Sequence, residues 1–151
     1  MPQSLAKVYL HTIFSTRDRF PFFASAEHQR EVAAYLASVT ANLDCPAIKI
    51  GGVADHVHLL TELQRTISIA EFVKETKRVS SLWLKDRGDE WSQFHWQSGY
   101  GVFSVSESNV PRVKQYVANQ AEQHRNQSFQ DEFRAFLEKH GVEYDERYVW
   151  D

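Results

Sequence analysis

The sequence predicts an α+β domain of the split βαβ, ferredoxin-like kind: a four-stranded antiparallel sheet with two helices on one face and further helices at the C-terminus. Three observations predict it. Apolar runs of strand type and of helix type follow one another in the order β-α-β-β-α-β-α-α. The two middle strands are joined so closely that only an antiparallel hairpin fits. The chain has 151 residues, 42% hydrophobic and 25% charged, which suits one domain over residues 1–151. A chain of this length buries about two-thirds of its unfolded surface and needs no disulfide or structural metal to fold.

Lys7–Ser15, rich in Val, Tyr, Ile and Phe, reads as the first strand, ended by the charged turn Thr16-Arg17-Asp18-Arg19. Ser25 can cap a helix with Val32, Tyr35, Leu36 and Val39 at helical spacing, running to about Ala41. Pro46–Ile50 is a second strand closed by Gly51-Gly52, and His56–Glu62 a third. Ser68-Ile69-Ala70-Glu71 is a capping box, after which Ile69, Phe72, Val73, Val79 and Trp83 share one side and Lys74, Lys77, Arg78, Ser81 and Lys85 the other. A polar connection leads to a fourth strand near Tyr100–Val105. A third helix begins near Ser108 or Asn109, tolerates Pro111 in its first turn and runs to about His124. Ser128 caps a last helix with Phe129, Phe133, Phe136 and Leu137 on its apolar side, ended by Gly141. One face of the sheet is left for these later helices, a partner subunit or a ligand to cover.

The net charge of −3 excludes a strongly basic, indiscriminate nucleic-acid binder. The acidity lies at the end: residues 1–128 hold 14 Lys+Arg against 13 Asp+Glu, a net of +1, so the body is free to carry a positive patch. The single Cys45 makes an intramolecular disulfide impossible, and a reducing cytoplasm is the expected compartment. No charged start precedes an apolar run as in a signal peptide. No stretch approaches the ~20 apolar residues of a membrane span, so no membrane partner is expected.

His56 and His58 stand two apart on an extended strand, so both imidazoles leave one face while Val57 leaves the other. Two such imidazoles can share a divalent cation, though an isolated His-x-His also fits a solvent-facing strand. Tyr116 and Gln120, four apart on the third helix, share one side. A phenol is a poor nucleophile unless a cation or base favours its phenolate, and Gln120 offers a neutral oxygen ligand. The same Tyr also reads as a half-buried margin of the stripe Val110, Val113, Val117 and Ala121.

Taken together, Gly51–Leu60 (GGVADHVHLL), the capped basic helix, Ser98–Ser106 (SGYGVFSVS) and Tyr116–Gln120 (YVANQ) resemble transposases of the IS200/IS605 type. These are the single-tyrosine members of the His-hydrophobic-His endonuclease superfamily. The resemblance runs from the first strand to about His124. It implies that His56, His58 and Gln120 bind a divalent metal, Mg²⁺ or Mn²⁺, and that Tyr116 is the nucleophile. It implies cleavage of single-stranded DNA beside hairpins at the ends of an element, leaving a 5′-phosphotyrosine and a free 3′-OH. No nucleotide cofactor is needed, because one phosphodiester replaces another. Family members work as homodimers, in many of which the tyrosine helix of one subunit completes its partner's site.

For DNA contact the candidates are Lys74, Lys77, Arg78 and Lys85, then Arg17 and Arg19, all able to neutralise phosphates. His11 and His95 read as structural, Trp91 and Trp96 as packing rather than base-stacking residues, and Cys45 as no nucleophile. Two other functions fit the topology. One is a non-catalytic RNA-recognition-like module, whose aromatic signature has only a loose echo in Gly99–Phe103. The other is a relative retained by a host to process repeat hairpins. The tail of about residues 142–151, with Tyr144, Tyr148 and Trp150 among its acids, is too apolar to stay free and is expected to dock on the body or a second subunit.

Overall fold

A computed structural model describes residues 2–151. Its strands are β1 (Tyr9–Ser15), β2 (Ala47–Gly52), β3 (His56–Glu62) and β4 (Gly101–Val105), and its helices α1 (Ala26–Asn42), α2 (Ile69–Lys85), α3 (Val110–Ala118), α4 (Gln120–Gln123) and α5 (Phe129–Lys139). The sheet is antiparallel in the order β2-β3-β1-β4, the split βαβ arrangement with the two consecutive strands β2 and β3 as a hairpin.

Alternation along the central strands sorts residues between two faces. Phe14, Val57 and Leu59, with Ile50 from β2, join Val32 and Leu36 of α1, Leu84 of α2 and the loop residues Phe23, Trp91, Phe94 and Trp96 in the larger core. Both tryptophans are therefore packing residues, as expected. Ile13 and Phe103 lie on the opposite face beneath Phe129, Phe133 and Leu137 of α5. The later helices, rather than a partner, cover the second face. Two glycines permit the close approach. A Cβ on Gly51 would sit 2.2 Å from the Val117 carbonyl oxygen, and one on Gly101 2.5 Å from the Phe133 ring.

The caps form as the sequence requires: Ser25, Ser68 and Ser128 hydroxyls accept the backbone N–H groups of His28, Glu71 and Asp131. Gly141, at φ 65°, closes α5 with a Val142 N–H to Leu137 carbonyl bond. The tail docks on its own body. Tyr144, Val149 and Trp150 pack against the α5 cluster, and the Asp151 carbonyl accepts the Gly99 N–H at 2.8 Å. Tyr148 remains exposed.

Two expectations need correction. The third helix does not continue to His124: it ends at Ala118, Asn119 turns out of helical geometry (ψ 29°), and a separate short turn starts at Gln120. Asparagine competes for backbone bonds and favours such ends. The buried side of α2 also differs. It centres on Phe72, Val73, Thr76, Ser80 and Leu84, while Ile69 is 40% exposed and Trp83 stacks on Tyr35 near the surface. Thr76 and Ser80 hide their hydroxyls on the carbonyls of Phe72 and Thr76, so two polar letters become core positions.

Candidate active site

The second sheet face carries a polar cluster at its centre. His56 and His58 are fully buried on β3, beneath α3, α4 and α5. His11, on neighbouring β1, pairs with Leu60 in the register and so stands diagonal to His58 on the same face; their ring nitrogens Nε2 and Nδ1 are 2.8 Å apart. From the opposite side come Tyr116 at the end of α3, Gln120 and His124 around α4, and Glu132 on α5.

Glu132 is the hub. Its Oε1 lies 3.0 Å from His58 Nε2, 3.0 Å from His124 Nε2 and 3.4 Å from His56 Nε2. Its Oε2 accepts the Tyr116 hydroxyl. Gln120, almost wholly buried by the break before α4, puts Oε1 3.3 Å from His56 Nε2 and donates to the Tyr116 carbonyl. His56 Nδ1 bonds Asp55 Oδ1 at 2.7 Å.

The electrostatics follow from burial and from this hub. Burial pushes the His58 imidazole down to about 4, keeping it neutral, and burial together with His58 holds His11 well below the usual range. Burial acts the same way on His56, but hydrogen bonds to Asp55 and Glu132 outweigh it and leave that imidazole above its ordinary value. Burial alone would raise Glu132; the hydrogen bonds from His124, His56 and His58 overcome it and hold the carboxyl far below the usual carboxylate range. Burial and the Glu132 carboxylate push the Tyr116 phenol above its usual value. His56, His58, His124 and Glu132 present ligand atoms within 4.8 Å of one another, a donor set that suits a divalent ion.

The residues singled out in the sequence divide three ways. His56, His58, Tyr116 and Gln120 meet at one place, and Tyr116 lies beside the histidines of its own chain, ring centroids of Tyr116 and His58 being 5.8 Å apart. Lys74, Arg78 and Lys85 sit on α2, across the sheet from that place. Lys77 shares that helix, its ammonium donating to the carbonyls of Gln97, Ser98 and Gly99, and burial lowers it to about 8. Arg17 is exposed beside Gln97 and Ser98, and Arg19 lies over the Trp150 ring at 5.9 Å. His11, read as structural, is buried and touches His58; His95 is exposed and Cys45 buried.

Sequence reasoning missed His124 and Glu132. Glu132 had a signal: an acid on the inward face of a helix, between Phe129, Phe133 and Phe136. It also missed Arg112 and Lys139, which line the cleft opening onto Tyr116.

The sequence pattern described as "Transposase IS200 like" matches residues 4–120, most of the chain. The chain belongs to the IS200-like transposase family. Among relatives of this IS200-like transposase are the transposases for insertion sequence element IS200 of Salmonella typhimurium (strain LT2) and Salmonella typhi. Each is 27% identical over 118 residues, 75% of this chain and 76% of the relative. The fold is shared with a putative transposase from Deinococcus radiodurans R1 (TM-score 0.59, 24% identity, 80% of this chain and 95% of the other). It is shared as well with a REP-associated tyrosine transposase bound to a REP hairpin (TM-score 0.58, 12% identity, 83% and 73%). The family match ends at Gln120, short of His124 and Glu132.

Proposed function

We propose that residues 1–151 act as one DNA strand-transferase domain in which Tyr116 attacks a phosphate of single-stranded DNA beside a hairpin. The phenol oxygen bonds to phosphorus, the bond to the 3′-oxygen breaks, and a 5′-phosphotyrosine and a 3′-OH result. The observation that carries this reading is the meeting of Tyr116 and two strand imidazoles on one buried carboxylate.

His56, His58 and Gln120 would hold the cation, Mg²⁺ or Mn²⁺. When bound, the ion supplies positive charge that polarises the phosphate and offsets the carboxylate beside the phenol. The residues do the rest. Glu132 fixes the Tyr116 hydroxyl and accepts its hydrogen bond, and Asp55 fixes the tautomer of His56. Arg112 and Lys139 flank the cleft a phosphate enters. The α2 stripe, Arg17 and Arg19 would take more distant phosphates of a hairpin, the ligand carried by one structural neighbour. The nearness of Tyr116 to the histidines of its own chain supports a homodimer with two whole sites rather than two shared ones.

The non-catalytic reading needs an open sheet face for stacking bases. Here α3, α5 and the tail cover that face. Incubating Tyr116→Phe with hairpin DNA and Mn²⁺ should leave binding intact and abolish the covalent adduct seen on a denaturing gel. Wild-type adduct levels in that variant would overturn the assignment.

A further inference from the structure

Three imidazoles and a carboxylate point at the same spot, and the atoms behind them decide what stands there. Each histidine has its remote nitrogen engaged: His56 Nδ1 at 2.7 Å from Asp55 Oδ1, His124 Nδ1 at 2.7 Å from the Gln127 carbonyl, His58 Nδ1 at 2.8 Å from His11 Nε2. A carboxylate and a carbonyl only accept, so His56 and His124 carry their hydrogens on Nδ1. When both are neutral their Nε2 lone pairs face each other at 3.0 Å, with Glu132 Oε1 3.0 Å from one and 3.4 Å from the other. Three acceptors in a buried pocket must share either a proton, as in the hydrogen bonds to Glu132, or a metal cation standing among them. Ligands at about 2.0–2.2 Å from one ion lie about 3.0–3.6 Å apart, the spacing of Glu132 Oε1 from all three imidazoles and of His56 from His124, within a set spread over 4.8 Å.

We propose that His124 and Glu132 are ligands of the ion alongside His56 and His58, and that this centre of three imidazoles and a carboxylate takes Mn²⁺, Co²⁺ or Zn²⁺ in preference to Mg²⁺. The inference rests on the reading above that a divalent ion binds at His56 and His58, and extends it to residues beyond the family match. Mg²⁺ demands oxygen and keeps its waters, whereas imidazole nitrogen suits the later divalent ions. Glu132 offers one oxygen to the ion and the other to Tyr116, so the ion's position and the nucleophile's are set by one side chain.

The test is binding to the whole chain after stripping with EDTA, by calorimetry with Mn²⁺, Co²⁺ and Mg²⁺ and by the visible absorption of Co²⁺. Wild type should bind one Mn²⁺ or Co²⁺ per chain, with Mg²⁺ weaker by about tenfold or more. Glu132→Gln, nearly isosteric, and His124→Gln should each weaken Mn²⁺ by about tenfold or more and change the Co²⁺ spectrum. Melting of the metal-free variants checks that they fold; His124, the less buried, serves if Glu132→Gln does not. If both variants bind as wild type while His58→Ala does not, the added ligands are wrong and the site of His56, His58 and Gln120 stands. If His58→Ala also binds as wild type, or wild type binds no ion, the metal reading itself falls. A preference for Mg²⁺ likewise overturns the proposal.

Discussion

Neighbouring residues of β3 do opposite work. Val57 and Leu59 enter an apolar core with Phe14, Leu36 and Leu84, held mainly by dispersion and the exclusion of water. His56 and His58 enter a buried polar cluster in which each nitrogen needs a partner. One face is apolar throughout its centre; the other surrounds a buried polar cluster with a smaller apolar core and bears the cost of burying those polar groups. The cover differs accordingly. The apolar face is closed by long helices, the polar face by α3, the four-residue α4 and α5, whose Glu132 belongs to the site.

That contrast makes graded predictions. Leu59→Ala, at a position with no solvent exposure, should lower unfolding free energy by about 2–5 kcal/mol in urea denaturation, uniformly across pH. Gly51→Ala forces a methyl against the Val117 carbonyl, so α3 must shift; a stability loss of about 1–3 kcal/mol should accompany a larger fall in adduct formation. Adduct formation at wild-type level would show that the α3 position is not what places Tyr116.

The pH dependence separates the faces in another way. His58 is held at about 4 in the fold against about 6.5 unfolded, so below 6.5 the unfolded chain takes a proton that the fold refuses. In EDTA this group's contribution to stability is therefore full above pH 6.5 and declines as pH falls toward 4. Comparing wild type with His58→Leu should show that slope lost, while Leu59→Ala keeps it. The smallest effect concerns the two basic surfaces. Arg112→Glu/Lys139→Glu should impair adduct formation more than hairpin binding, and Lys74→Glu/Arg78→Glu the reverse, each lost phosphate contact reducing the salt slope by about one.

The split βαβ topology and the three serine caps were legible because each rests on local periodicity or a short motif, whereas the pairing of His56 and His58 with Tyr116 came from the resemblance to a known family. The break after Ala118 was not, since Asn119 gives only a weak local preference that packing decides. Lys77 looked like its neighbours Lys74 and Arg78; only the fold brings three carbonyls within its reach. Glu132 could have been read from its apolar helical neighbours, but His11 and His124 join the site through register and a turn that spacing does not announce.

One polypeptide brings the imidazoles and the phenol together. Mixing a His58→Ala chain with a Tyr116→Phe chain, each inactive alone, tests it directly with hairpin DNA and Mn²⁺. Assembly within one chain predicts that the mixture stays without covalent adduct at every ratio. Recovery of adduct would show that the phenol of one subunit serves the histidines of another.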